Sequence, residues 1–283
     1  MTESVYLRPS SLAEALAFLD SGNLTIAAGC TDLFPATERK RLAGSVLDVT
    51  SVAEMRGIRS LDAGLRIGAA TTWTEIVQAD LPSALDGLKL AAREVGARQI
   101  QNRGTIGGNL CNASPAADGV PTLLTLEAEV ELASVSGSRR LALSEFLRGP
   151  RQTALAPGEL LVAIHIPQRA LVGQGAFLKL GAREYLVISI AMTAARVVID
   201  QGHISDIALA VGSCGPVATR LPALEAKLIG KPVDPALITP EMVSPHIAPI
   251  DDMRADAGYR HCAAVELVRR VLSMSAHFDK AVA

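Results

Sequence analysis

Two short glycine-bearing segments hold the residues best suited to chemistry in this chain. In the first, Ile26, Ala27, Ala28, Gly29, Cys30, Thr31, Asp32 and Leu33 lead from a short apolar stretch through a turn into a predicted helix start. Consecutive backbone N–H groups at such a turn can cradle a phosphate; a plain strand-to-helix turn is the other reading. In the second, Gly104-Thr105-Ile106-Gly107-Gly108-Asn109 pairs two glycines, which lets backbone lie against a ligand where a Cβ would collide. A β-bulge or tight turn is the alternative there. Neither segment is a G-x-G-x-x-G fingerprint behind a clear strand, and Gly230-Lys231 is followed by Pro232, so Rossmann and P-loop sites do not fit. There is no H-E-x-x-H and no G-x-S-x-G, and Gly212-Ser213-Cys214-Gly215-Pro216 reads as a turn after a strand. His165, His203, His246, His261 and His277 lie apart, and Cys30, Cys111, Cys214 and Cys262 lack metal-ligand spacing. Two phosphate-compatible loops without a proton-transfer constellation point to a bound cofactor that carries the chemistry while the protein supplies the binding.

The elements that must position these loops follow from spacing. Ser10-Ser11 caps a predicted helix over Leu12 to Asp20, with Leu12, Ala15, Leu16 and Leu19 at helical intervals. A strand over Leu24 to Ala28 feeds the first loop, and a helix is expected from there to Arg41. Strands are expected over Ser45 to Thr50 and Leu65 to Ala69. Thr72 starts a helix over Trp73 to Gln78, and a second begins at Pro82 and runs to Val95. The stretch from Arg103 to Asp118 reads as a compact loop. Glu129 to Ala133 and Arg140 to Leu143 form a hairpin, and Leu160 to Ile166 is a strand ahead of Pro167. After a boundary near residue 170, strands are expected over Ala176 to Leu180, Val187 to Asp200 and Ile204 to Val211. Helices are expected over Leu221 to Leu228 and Ala255 to Met274.

Composition bounds the function class. The chain has 283 residues, 49% of them hydrophobic and 20% charged, within the ordinary globular range. Its net charge of −2 with no basic block excludes an electrostatic footprint for nucleic acid or anionic membrane. Only 3% of residues are aromatic, so Ala, Val, Ile and Leu must fill the core and backbones must approach closely. No apolar run is long enough to span a bilayer, and Met1 to Ser11 has no signal-like apolar region, so a cytoplasmic protein is expected. The four cysteines are expected to be reduced and mostly buried.

Taken together, A-A-G-C-T-D-L at 27–33 and R-G-T-I-G-G-N-x-x-x-A-S-P-x-x-D at 103–118 resemble the FAD-binding medium subunits of the molybdenum hydroxylases, the xanthine dehydrogenase and carbon monoxide dehydrogenase family. The likeness extends over most of the chain. It includes Ile67-Gly68-Ala69, Glu159-Leu160-Leu161, Phe177-Leu178-Lys179 and the closing R-A-D-A-G-Y-R at 254–260. The resemblance implies an α+β fold of the vanillyl-alcohol-oxidase-like type. Two subdomains (1–52 and 53–169) would sandwich FAD, and a C-terminal domain (170–283) would carry a small antiparallel sheet.

By the same resemblance, Ile26 to Leu33 and Thr105, Ile106, Gly107, Gly108 and Asn109 would wrap the pyrophosphate. Asp118 would accept from a cofactor hydroxyl, and Val95, Leu161 and Lys179 would line the cofactor. Segments 26–33 and 95–118 contain no His for a covalent flavin link, so FAD is expected to be noncovalent. Cys30 stands where many relatives have a second Gly, which leaves the turn's conformation open. The family's iron–sulfur and molybdopterin centres would lie on a small and a large partner subunit, in a doubled heterotrimer, leaving this chain to relay electrons to an external acceptor. Two rival readings remain: a self-contained flavin reductase resembling UDP-N-acetylenolpyruvoylglucosamine reductase, and an assembly subunit without cofactor.

Overall fold

The computed structural model describes residues 4–37, 42 and 44–279. Tyr6–Leu7 (β1), Thr25–Ala27 (β2) and Val46–Asp48 (β3) form a parallel sheet in the order β1-β3-β2, with helix α1 (Leu12–Asp20) crossing between β1 and β2. Helix α1 starts where its polar residues dictate. Ser11 Oγ accepts from the Glu14 N–H at 3.3 Å, and Glu14 reaches back to the Ser10 N–H at 2.9 Å.

A larger antiparallel sheet follows, from Ile58–Leu61 (β4), Gly64–Gly68 (β5), Glu129–Ser134 (β6) and Gly137–Ala142 (β7). Leu147–Gly149 (β8) and Gln152–Thr153 (β9) pair separately, and Leu160–Pro167 (β10) returns to the centre, giving the order β4-β5-β10-β6-β7. As the central strand, β10 is buried along nearly all its length, which accounts for its unbroken apolar run. Between β5 and β6 lie α2 (Trp73–Gln78), α3 (Asp86–Glu94), α4 (Arg98–Gln101), α5 (Ile106–Asn112) and α6 (Gly119–Thr125). A short α7 (Leu143–Phe146) follows β7.

The remaining sheet runs in sequence order through Gln174–Leu180 (β11), Ala191–Asp200 (β12), His203–Gly212 (β13) and Thr219–Arg220 (β14). It packs with α8 (Pro222–Leu228), α9 (Pro240–Val243) and the long α10 (Ala257–Asp279) around a core of Leu209, Leu224, Val268 and Leu272. The first two sheets share another core, which includes Leu47, Ile67, Trp73, Ile106 and Ile164. The scarcity of aromatic side chains shows where the two halves meet. A Cβ on Gly87 would lie 2.8 Å from the Ala176 carbonyl oxygen, and one on Gly175 would lie 2.2 Å from that of Ala84. Backbone packs on backbone at that seam.

Four local expectations are corrected. Residues 31–36, expected to open a helix toward Arg41, form successive turns, with Phe34 N–H donating to Cys30 O and Ala36 N–H to Asp32 O. Pro35 offers no N–H and disfavours helical backbone at Phe34; residues 38–41 lie outside the described residues. The stretch expected as a loop over 103–118 contains α5, because Thr105 caps it and Ile106 and Leu110 anchor it in the core despite two glycines. Strand β12 starts at Ala191, not Val187, because Ser189 is drawn away to the carboxylate of Asp118. The cysteines are all free, but Cys111 and Cys262 are exposed and Cys30 is half-buried, so Cys214 alone is buried.

Candidate cofactor-binding site

The two glycine segments meet. Gly29 packs so closely on the second segment that a Cβ there would sit 2.1 Å from the Arg103 carbonyl oxygen and 2.8 Å from the Gly104 Cα. Together they wall a cavity of about 570 Å³, lined elsewhere by Ala69-Ala70 and Trp73, by Val95 and Ile100, and by Leu155 and Glu159 to Leu161.

The first segment carries the binding capacity. The backbone N–H groups of Gly29, Cys30, Thr31, Asp32 and Leu33 donate to no acceptor among the described residues. Cys30 adopts φ +60°, a left-handed conformation of the kind that turns successive N–H groups toward one point. The open question at this position is thereby answered: Cys30 takes the backbone shape that Gly would take freely. Its thiol is pushed up by burial and by the Asp48 charge, with Sγ resting 3.5 Å from Ala28 O.

The second segment is spoken for within the protein. At the start of α5, Ile106 N–H donates to Thr71 O, Gly107 N–H to Ala69 O, Gly108 N–H to Thr105 Oγ1 and Asn109 N–H to Thr105 O. Its glycines also divide. A Cβ on Gly107 would lie 2.6 Å from both the Cβ and the carbonyl oxygen of Ala69, so packing against Ala69 demands that glycine. Gly108 is exposed to the cavity, and a Cβ there would meet only Thr105 Oγ1, at 2.9 Å. Asn109 lines the cavity, and its Oδ1 is buried without a hydrogen-bond partner. A buried orphan acceptor beside an open glycine and five free N–H groups is what a bound polar ligand would complete.

Of the expected site residues, Ile26, Ala28 to Leu33, Val95, Thr105, Gly107, Gly108, Asn109 and Leu161 line the cavity. Ala27 and Ile106 are buried beside it. Asp118 and Lys179 lie outside its lining and are paired with each other, Lys179 Nζ to Asp118 Oδ2 at 2.8 Å. Ser189 Oγ donates to the other Asp118 oxygen at 2.7 Å, and Lys179 Nζ also donates to Glu94 O at 3.2 Å. Burial pushes the Asp118 carboxyl up against the pull of Lys179 and Ser189. The walls formed by Ala69-Ala70, Trp73, Ile100, Leu155 and Glu159 were not expected from the sequence. Ala69 and Glu159 do sit inside the quoted family motifs, which was the available signal. Among the described residues no group of three or more metal-ligating side chains comes together.

The family described as FAD binding domain in molybdopterin dehydrogenase matches residues 2–169, and that described as CO dehydrogenase flavoprotein C-terminal domain matches residues 176–275. The chain belongs to the FAD-binding medium subunits of the molybdenum hydroxylases. It is 33% identical to the glyceraldehyde dehydrogenase medium chain of Sulfolobus acidocaldarius, with 97% of each chain covered. It is 31% identical to the xanthine dehydrogenase FAD-binding subunit of Escherichia coli O157:H7, over 95% of this chain and 94% of that one. A solved structure of carbon monoxide dehydrogenase from Hydrogenophaga pseudoflava superposes with a TM-score of 0.89 at 29% identity, covering 97% of this chain and 98% of that chain. The α+β FAD-binding fold and the medium chain's place as an oxidoreductase subunit follow from this membership. The cavity suits the family's cofactor: the free N–H groups of Gly29 to Leu33 match a pyrophosphate, and the apolar walls match ring systems.

Proposed function

We propose that this medium subunit relays electrons from a 2Fe–2S cluster on a small partner subunit to an external acceptor, while a large molybdopterin subunit oxidises the substrate. The observation that carries the reading is the composition of the cavity wall. It offers a row of free N–H groups and apolar surfaces, and its one side-chain carboxylate outside the turn, Glu159, is already neutralised by Arg139. Such a wall binds and orients a redox cofactor and offers substrate no acid–base pair.

On this reading Gly29 to Leu33 hold the pyrophosphate, Gly108 gives it room, and Asn109 Oδ1 receives a donor from the cofactor. FAD, when bound, supplies a store for two electrons that can be loaded one at a time. It is held noncovalently, because a Cys30 thiol raised by burial stays protonated and is a poor nucleophile. Segments 1–52 and 53–169 close on the cofactor from two sides, and 170–283 backs them through the seam at Gly87 and Gly175. The assembly is a doubled heterotrimer, and the free cysteines suit the reducing cytoplasm.

The test is reconstitution. Purines, aldehydes or N-heterocycles added to the pure, FAD-loaded chain should leave the flavin spectrum oxidised, and adding the iron–sulfur and molybdenum subunits should restore bleaching by the correct substrate. Bleaching by such a substrate without partners would overturn the reading in favour of a self-contained flavoenzyme.

A further inference from the structure

Beyond the cavity, on the edge strand β7, Arg139 makes a closed set of contacts with the segment that forms one cavity wall. Its Nε lies 2.7 Å from Glu159 Oε1 and its Nη2 2.8 Å from Glu159 Oε2, a two-pronged pairing of guanidinium with carboxylate. The same Nη2 donates to Ala154 O at 2.9 Å, and Glu159 Oε2 accepts from the Ala156 N–H at 2.8 Å. Residues 154–159 are thereby folded onto one guanidinium. They deliver Leu155 and Glu159 to the cavity beside Leu160 and Leu161 at the start of β10, whereas Arg139 itself does not line it.

We propose that Arg139 is a positioning residue for the cofactor, setting the shape and charge of the cavity wall at Leu155 and Glu159 through its grip on Glu159. The geometry gives the reason. The segment between β9 and β10 has no strand ladder of its own over residues 154–159; beside the backbone bonds from Ala154 N–H to Phe146 O and from Glu159 N–H to Ala156 O, these side-chain bonds fix its path. The same pairing keeps the one carboxylate on that wall from presenting an uncompensated charge to a cofactor whose diphosphate is also anionic. Without the guanidinium, the wall would loosen and repel.

The inference rests on the reading that this cavity holds FAD, and the experiment separates the two. The full chain is freed of flavin and titrated with FAD, with bound flavin followed by fluorescence and unfolding of the flavin-free chain recorded in parallel. Arg139→Met should weaken FAD binding about fivefold, the scale of a partly exposed ion pair, with little change in the unfolding of the flavin-free chain. Arg139→Lys keeps the charge but cannot span Glu159 and Ala154 together, and should recover only part of the affinity. In a Glu159→Gln background, Arg139→Met should cost markedly less than in the wild type, the coupling that a merely structural role would not produce. Unchanged affinity in Arg139→Met, or losses that simply add in the double variant, would overturn the inference. Full FAD affinity in Gly108→Val would instead overturn the reading of the cavity itself, whatever Arg139 does.

Discussion

At the scale of single residues, the two glycines at the start of α5 have opposite reasons for being glycine, and that difference is measurable. Gly108→Val fills cavity space and displaces the Thr105 hydroxyl that caps the helix, so the flavin should be lost while the rest of the fold persists. Gly107→Ala drives a methyl into Ala69 and should lower stability by about 1–3 kcal/mol, the usual scale of overpacking, as a fall in Tm of the flavin-free chain. Retention of flavin in Gly108→Val, or its loss in Gly107→Ala at unchanged Tm, would remove the distinction. Cys30 gives a third residue-level test. A side chain in the left-handed region costs roughly 1–2 kcal/mol that Gly avoids, partly offset by the extra freedom Gly has in the unfolded chain. Cys30→Gly should therefore keep both FAD and Tm, whereas Cys30→Val should lose both; a Tm drop in the Gly variant would show that the thiol's packing outweighs the backbone strain.

Elements are tied to one another by buried charge. Lys179 on β11, Asp118 before α6, Ser189 before β12 and the carbonyl of Glu94 at the end of α3 converge on one ion pair whose partners are 61 residues apart in sequence. Lys179→Met leaves the Asp118 carboxyl buried and unpaired, so stability should fall by about 3–5 kcal/mol, and Asp118→Asn added to it should recover part of that loss. If Lys179→Met instead lowers FAD affinity at unchanged Tm, the pair contacts the cofactor directly, as the family resemblance implies.

A second tie lies ahead of α10, where Asp252 accepts from the Arg254 N–H and pairs with the buried Arg260, which in turn donates to Ile190 O and Ser213 O. The Arg254 N–H and then the Arg260 guanidinium hold the Asp252 carboxyl at about 2, below its ordinary 3.8. With its folded value depressed, this carboxylate stabilises fully above about 3.8, and its contribution fades as pH falls toward about 2. The Tm deficit of Asp252→Asn should accordingly be constant at neutral pH and close in that acid window; a deficit that widens on acidification would contradict the assignment.

For the whole molecule, the arrangement predicts a yellow chain whose colour comes away on denaturation. Acid precipitation should release FAD into the supernatant, and flavin retained in the pellet would mean a covalent bond. The cavity is walled from both of the first two sheets and their connecting helices, so the cofactor acts as a shared part of that core. Ligand that binds only the folded state stabilises it in proportion to the logarithm of its concentration over Kd. Loading with FAD at about a hundred times Kd should therefore add about 2.7 kcal/mol to stability, seen as a rise in Tm. A flavin-loaded chain melting with its apo form would place the flavin outside this core.

Much of this molecule was written locally. Ser11 and Thr72 mark helix starts because a hydroxyl that satisfies an N–H three residues on needs no distant partner, and both helices begin where those residues stand. The alternation of β6 likewise reports which of its faces is wet, and the unbroken apolar run of β10 reports burial on both. The glycine motifs identified the family and its cofactor. What they could not decide was which glycine serves the ligand and which serves packing, since that depends on whether Ala69 or open space lies beyond the missing Cβ. Nor could they show that the free N–H groups lie at Gly29 to Leu33 and not at Thr105 to Asn109, because the acceptors that consume the latter come in part from Ala69 and Thr71. Lys179 reads in sequence as an alternating strand residue, and Arg139 falls just ahead of the expected strand at Arg140; only chain crossing brings Asp118 and Glu159 to them. Local chemistry fixed the elements, and long-range contact assigned their groups to partner or ligand.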